Sequence, residues 1–543
     1  MIPNRTAGAW VHMEEPTPIP FLDADLDLPS RSPNLPTLEP NWQPWLERER
    51  RLEQLNAQLE TTGELAKAKE VELRYERASL LALSGCNLEA RSDYLKVLAL
   101  DPTHKKNLID LGRVLVATKR LKAAQMVYEE AVKQYPVDIV CRVNLGSVLL
   151  EREDPAGARS QYEAALGIDP ESPQAHGGMY YALTRLGEPQ AAKVHQRIAF
   201  AQQNLISNPY RGKSQPVPAL LLVSSTGGNT PIEELLDDRI FQTHVVVTDF
   251  FDSGSPLPAH QLVVNGIGDV DVAEQALVAA ESLLRFTSAP VINPPRAVLA
   301  TSRCQNAHRL RNLPGVITPA TAVFQRSLLA EPDGPVALLQ QGFAFPLLLR
   351  APGFHMGKHF VRVESAETLA AAVAELPGAE LLAIEYLDAC GKDGYSRKYR
   401  VMMIDGQLYP LHLAVSPHWK IHYFSADMAD RADHREEDAK FLADMPSVLG
   451  AKAVAALERI QATLSLDYGG VDFVLSPKGE ILLFEANATM IVLQPDEDAR
   501  WNYRRPAVER IHAAVHRMLT NRSKAESHVT KSETSRRMRP NVF

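Results

Sequence analysis

Cysteine is scarce: the four residues Cys86, Cys141, Cys304 and Cys390 are scattered and form no C-x-x-C pair, which argues against a disulfide framework and a cysteine zinc site. A reducing compartment fits. No run of 18 or more apolar residues occurs, and the opening MIPNRTAGAWVHMEEPTP lacks the charged-then-apolar order of a secretory signal. Cytoplasm is therefore the expected location, with no membrane partner. Positive charge is also short, since 58 Lys and Arg face 66 Asp and Glu for a net charge of −8, so nothing marks a nucleic-acid partner. What remains is an ordinary globular composition spread over 543 residues, enough for roughly three domains.

Residues 1–45 are punctuated by Pro16, Pro18, Pro20, Pro29, Pro33, Pro36, Pro40 and Pro44, each of which fixes φ and removes a donor. An extended leader is expected there. From residue 46 to 207 the pattern turns helical, and Pro102, Pro136 and Pro170 recur at intervals of 34 residues. Internal positions keep the same register: Leu111-Gly112 with Leu145-Gly146, Ala124 with Ala158, Tyr128 with Tyr162, Ala131 with Ala165. Small Gly and Ala allow close helix approach while Tyr and Leu fill the gaps. Over about residues 68–203 the chain resembles the tetratricopeptide-repeat family, with three good repeats and a weaker fourth that has Gln196 where an aromatic is expected. The resemblance implies an all-α solenoid whose concave face takes a protein or peptide partner.

Near residues 208–217 the character changes to short apolar runs at 219–225, 244–251, 261–269 and 289–295, which read as buried parallel strands. Val272–Phe286 has helical spacing, so residues 216–300 suggest an α/β domain of βαβ units. Residues 301–520 read as α+β. They include helices at 301–312 and 366–375, strands at 345–350, 359–363, 382–386, 399–404 and 407–414, a single helix at 446–464, and a strand pair at 471–475 and 481–484. Residues 521–543 are polar and basic, and a disordered tail is expected.

The sharpest motif is GGVDFVLSPKGEILLFEAN at 469–487, which sets Asp472 on one strand of a hairpin and Glu485 and Asn487, two apart, on the other. Hard oxygen donors of this kind suit magnesium. The hairpin resembles the metal-binding element of the ATP-grasp superfamily, and the features upstream follow in that family's order. FPLLLRAPGFHMGKHF at 345–360 resembles its phosphate-covering loop, which assigns Gly353 and Gly357 to close backbone approach and Arg350 and Lys358 to phosphate. Arg350 stands where the family usually has lysine, which keeps the charge and changes the geometry.

LLAIEYLDA at 381–389 resembles the adenine hinge, with Glu385, Tyr386 and Leu387 reading the base and Asp388 or Asp393 reaching ribose. SRKYRVMMIDGQLYPLHLAVS at 396–416 resembles the strand pair whose arginine, here Arg400, meets phosphate or the transferring group, and Arg303 opens a helix where the family often has a basic residue facing phosphate. SPHWKIHYF at 416–424 offers His418, Lys420 and His422 to an acceptor pocket, and STGGN at 225–229 follows the first strand as a further binding loop.

The resemblance, spanning about residues 219–519, implies ATP and Mg2+ as cofactors, a pre-ATP-grasp α/β domain and an ATP-grasp domain. The implied reaction joins a carboxylate to an amine through an acylphosphate. Replacing Asp472, Glu485 or Asn487 is expected to abolish magnesium-dependent turnover and leave the fold intact. Two other readings stand beside it: an interaction scaffold whose nucleotide domain does not turn over, and an ATP-grasp kinase acting on a hydroxyl.

Overall fold

A computed structural model describes residues 43–61, 66–252, 254–354, 357–421, 423, 426–496 and 498–524. The expected leader at 1–45 and basic tail at 521–543 lie mostly outside these residues, as does His422. Where they are described they are helical: residues 43–45 open one helix and 521–524 close another. The chain divides into two compact units, Met1–Ala219 with Leu236–Pro258, and Leu220–Leu235 with Ala259–Phe543.

The first unit begins with α1 (Gln43–Thr61) and continues with four hairpins. These are α2 (Lys67–Leu83) with α3 (Asn87–Leu100), α4 (Lys105–Ala117) with α5 (Leu121–Gln134), α6 (Ile139–Glu151) with α7 (Pro155–Ile168), and α8 (Pro173–Arg185) with α9 (Pro189–Gln202). Each hairpin also packs on the next. The helix ends at 100, 134, 168 and 202 keep the 34-residue step, and the marker prolines fall two residues beyond the first three.

Side chains at the caps explain the sharp starts. His104, Asp138, Asp154 and Ser172 each accept a backbone N–H three residues on, satisfying a donor that the helix leaves unpaired. The packing rule read from the repeats is visible in the glycines. A Cβ on Gly112 would lie 2.3 Å from the Tyr128 ring, and one on Gly178 would lie 2.2 Å from Tyr162. Glycine is thus what admits each tyrosine.

Ala90, Ala124, Ala158 and Ala192, one per hairpin, are buried at the matching position of each. The fourth hairpin buries Gln196 where the pattern asks for an aromatic ring. The unit closes with β1 (Leu205–Ser207), the start of β2 (Val217–Val223), and β3 (Phe241–Val247), β1 and β3 being antiparallel.

The second unit takes the end of β2 and adds β4 (Leu262–Asn265), α10 (Val270–Leu283) and β5 (Val291–Ile292), with β4 and β5 parallel as the apolar runs suggest. Two short helices follow, α11 (Pro295–Leu299) and α12 (Arg303–Leu310), then β6 (Val316–Ile317), β7 (Thr321–Gln325), α13 (Arg326–Ala330) and α14 (Gly334–Gln340). An antiparallel sheet in the order β7-β10-β8-β9 is built from β8 (Leu347–Arg350), β9 (Phe360–Val363) and, after α15 (Leu369–Glu375), β10 (Glu380–Glu385). Its core is Leu347, Leu349, Val363, Leu369, Leu381 and Ala383.

A second sheet joins β11 (Ser396–Ile404), β12 (Gln407–Ser416), and later β13 (Tyr468–Leu475) and β14 (Ile481–Asn487) in the order β12-β11-β13-β14-β6. Between them lie α16 (Ala432–Ala443), α17 (Met445–Leu449) and α18 (Ala451–Leu464), and α19 (Arg505–Lys524) ends the unit. The single helix expected at 446–464 is broken, because Gly450 sits at φ +80° and ends α17 before α18 begins. The helix expected at 366–375 starts as a 3-10 turn and becomes α only at Leu369.

Candidate functional site

Cross-strand register assembles the site. His412 on β12 pairs with Arg400 on β11, Arg400 with Asp472 on β13, and Asp472 with Glu485 on β14, so one row of polar side chains crosses four strands on one face. Lys398, two residues before Arg400, shares that face, as does Asn487, two after Glu485.

Asp472 is 3% exposed and accepts from Arg400 Nε at 2.6 Å, Arg400 Nη2 at 2.8 Å and Lys398 Nζ at 3.0 Å. Burial opposes its ionisation, but the charges of Arg400 and Lys398 outweigh that and hold the carboxyl far below the usual carboxylate range. Arg400 gains reciprocally: burial works against its charge and Asp472 more than restores it.

At the other end of the row Arg303 Nη2 meets Glu485 Oε1 at 2.5 Å, and Asn487 Nδ2 donates to the same oxygen at 3.0 Å. The Asn487 side-chain Oδ1 accepts from the Thr489 N–H and hydroxyl. Arg303 also lies 3.8 Å from Asp271, whose carboxyl is pushed up by burial and by Asp269. Arg350, at the end of β8, donates to the Phe354 carbonyl and stacks at 5.6 Å on Phe360. Burial and then the neighbouring Arg303 charge push its pKa down to about 10, and it stays cationic at neutral pH.

Two loops border this row. Gly353 and Gly357, between β8 and β9, both take φ +78°, a conformation that side chains resist. A Cβ on Gly357 would lie 2.3 Å from Lys420, and Trp419 packs on Phe360 at 5.4 Å, so residues 419–420 press on the glycine loop. On another side Gly228, at φ +71°, offers its carbonyl to the N–H groups of Gly268 and Asp269, while the Thr230 hydroxyl donates to the Ala488 carbonyl at 2.7 Å. The STGGN loop is thereby tied next to Asn487.

Of the residues singled out in the sequence, Arg303, Arg350, Arg400, Asp472, Glu485 and Asn487 come together in this cluster. The remaining assignments are placed otherwise. Lys358 lies 5.9 Å from the Phe354 ring. Glu385 gives its N–H to the Ala320 carbonyl and accepts the Ala320 N–H on its side chain. Arg362 stacks on Tyr386 at 4.2 Å. Asp388 accepts from the Cys390 N–H, and Asp393 is held by Arg397 at 2.8 Å and by the Tyr395 N–H.

Lys398 escaped sequence reasoning although the period-2 pattern of β11 puts it beside Arg400. Asp269 and Asp271 carried a weaker signal, at the start of α10 after β4. His412 carried none.

The donor set suits magnesium in type, with three oxygen donors on one sheet face. A competing arrangement is already in place, because Asp472 is committed to two cations. Among the described residues no trio of His, Cys, Asp or Glu side chains is gathered for a metal, and the third donor here is an amide. Nor is any described helix long and apolar enough to cross a membrane.

No family model matches the chain, and no curated protein matches it. Among solved structures, MamA 41-end from Desulfovibrio magneticus RS-1 is 25% identical over 30% of this chain and 93% of its own, with a TM-score of 0.26. MamA MSR-1 C2 is 19% identical over 29% and 95%, with a TM-score of 0.24. YrrB, described as a TPR protein with an unusual peptide-binding site, is 20% identical over 30% and 80%, with a TM-score of 0.26. Scores this low carry no argument, so the helical-repeat character of the first unit rests on its own period and packing.

Proposed function

We propose that the second unit is an ATP- and magnesium-dependent ligase of ATP-grasp type that joins a carboxylate to an amine, and that the repeats recruit a protein or peptide partner. The observation that carries this reading is the hairpin of β13 and β14, which presents Asp472, Glu485 and Asn487 on one face between Arg400 and Arg303. Magnesium held there would neutralise phosphate charge, the main demand of phosphoryl transfer.

The chain's own cations would do the rest by position. Arg303 and Arg350, beside the glycine loop, would draw the triphosphate, and Arg400 would face the group in transfer. The reaction requires no protein nucleophile. The repeats support recruitment because a stack of helical hairpins presents one continuous surface to an extended chain.

The scaffold reading has one specific observation in its favour: both Asp472 oxygens are occupied by Arg400 and Lys398. Titration calorimetry with Mg-ATP, followed by ADP release on addition of carboxylate and amine pools, separates the two. Ligation predicts ADP release that needs both substrates and is lost in Glu485→Gln and Asn487→Ala. Tight Mg-ATP binding without any turnover would leave the scaffold.

A further inference from the structure

The three oxygen ligands assigned on the hairpin of β13 and β14 are engaged by the chain's own donors. Asp472 Oδ1 accepts from Arg400 Nε at 2.6 Å, while its Oδ2 accepts from Arg400 Nη2 at 2.8 Å and from Lys398 Nζ at 3.0 Å. Glu485 Oε1 accepts from Arg303 Nη2 and Asn487 Nδ2, and Asn487 Oδ1 accepts from Thr489.

Lys398 is the unexpected member of this set. Arg400 alone, through its planar fork, gives Asp472 a hydrogen bond on each oxygen and one matching charge. Lys398 brings a second cation to the same carboxylate and is itself only 8% exposed. A buried ammonium is a costly way to add one more hydrogen bond, so its contribution is positive charge at an oxygen that a metal would need.

The surrounding charges work in the same direction. Arg303, Arg350, Lys398 and Arg400 interact with Asp269, Asp271, Asp472 and Glu485, and His412 stays neutral. These cations and carboxyls are equal in number, so a bare divalent ion would add positive charge to a balanced set. Burial screens that repulsion weakly. A nucleoside di- or triphosphate reverses the sign, because its oxygens accept from the same ammonium and guanidinium groups and leave the carboxylates to the metal. Arg303 has another carboxyl near it, Asp271 at 3.8 Å, once Glu485 is given up.

We propose that Lys398 is a positioning residue that bars a bare divalent cation from Asp472 and admits it only together with a polyphosphate. The proposal rests on reading the second unit as a site for metal and nucleotide.

The test uses Mn2+, a paramagnetic stand-in for Mg2+, and reads the relaxation of water protons by the ion on the full chain, with and without ADP. Without ADP, the unaltered protein should relax water no more than Glu485→Gln, which sets the level due to scattered surface acids. With ADP it should exceed both that level and Mn2+ with ADP alone. Lys398→Gln should take up Mn2+ without ADP at least about 10-fold more tightly than the unaltered protein, and Lys398→Arg, which keeps the charge, should not. Uptake of the bare ion by the unaltered protein above the Glu485→Gln level, or a Lys398→Gln variant that still refuses it, would overturn the barrier and leave the ligase reading standing. Should a variant fail to fold, the unaltered protein still decides: its Mn2+ affinity should rise at least about 10-fold on adding ADP, and an affinity that ADP leaves unchanged overturns the barrier. No uptake even with ADP would overturn the barrier and the ligase reading together.

Discussion

The two units bury polar atoms and fill space by opposite means. In the repeats, neutral rings enter gaps left by glycine, so Tyr128 faces Gly112, and Tyr162 lies between Gly146 and Gly178. Charge is buried there only locally, as where Asp93 accepts from Arg77 at 2.6 Å. In the second unit, ions of both signs run in a row across three strands, β11, β13 and β14, beside a neutral His412 on β12, each partner depending on the next. Stability in the first unit should therefore be a sum of neighbouring contacts, and in the second a property of a coupled set.

Removing a ring tests the first half of that contrast most severely. Tyr162→Ala empties a fully buried site shared by two hairpins and should cost about 3–5 kcal/mol, read by urea unfolding. Combined with Tyr94→Ala, two hairpins away, the losses should add to within about 0.5 kcal/mol. A coupling well beyond that would show that the repeats are not a nearest-neighbour stack.

Removing a charge tests the second half. Asp472→Asn leaves Arg400 and Lys398 without a full counter-charge and should cost about 3–5 kcal/mol. The expectation that the metal-site substitutions spare the fold is thus corrected for Asp472, whose carboxylate neutralises two buried cations. It is kept for Asn487, whose bonds stay within Glu485 and Thr489. Asp472→Asn with Arg400→Gln should lose less than the two single losses together. Strict additivity of that pair would break the comparison.

Less severe is the reverse change in the repeats. Gly178→Ala places a methyl where the Tyr162 ring stands, and overpacking of this kind costs about 1–3 kcal/mol. Pairing it with Tyr162→Phe relieves little, since the contact is with the ring carbons as well as the hydroxyl. Recovery of full stability in the double variant would show that only the hydroxyl clashes.

How far this was legible follows from the same contrast. A repeated packing solution leaves a repeated sequence, so the 34-residue step reveals the hairpins, their ends and the glycine and tyrosine positions. The hairpin of β13 and β14 was legible because Asp472, Glu485 and Asn487 interrupt apolar strands at fixed offsets. Arg504, His412 and Asp438 were not, because they meet across elements far apart in the chain and only the folded sheet sets them together. The break at Gly450 was missed for a local reason: a lone glycine within helical spacing does not show in advance that its φ will be positive.

The smallest expected effect concerns that hidden network and appears only as a dependence on pH. Asp438 is fully buried, and burial pushes its carboxyl up to about 6, against the pull of Arg504 and three hydrogen bonds. A raised folded-state pKa means that the folded protein binds this proton more readily than the unfolded chain, whose aspartate titrates near 4. Stability from this group is therefore present in full below about 4 and lost as pH rises through about 6. Asp438→Asn lacks the titration and keeps an oxygen for the Leu413 N–H. The unaltered protein should gain melting temperature relative to this variant as pH falls from about 7 to 5, by a few degrees at most. Differential scanning fluorimetry of both proteins across that range removes the contribution of all other groups. A difference that stays flat, or reverses sign, would mean that Arg504 and the two tyrosines hold Asp438 ionised throughout that range.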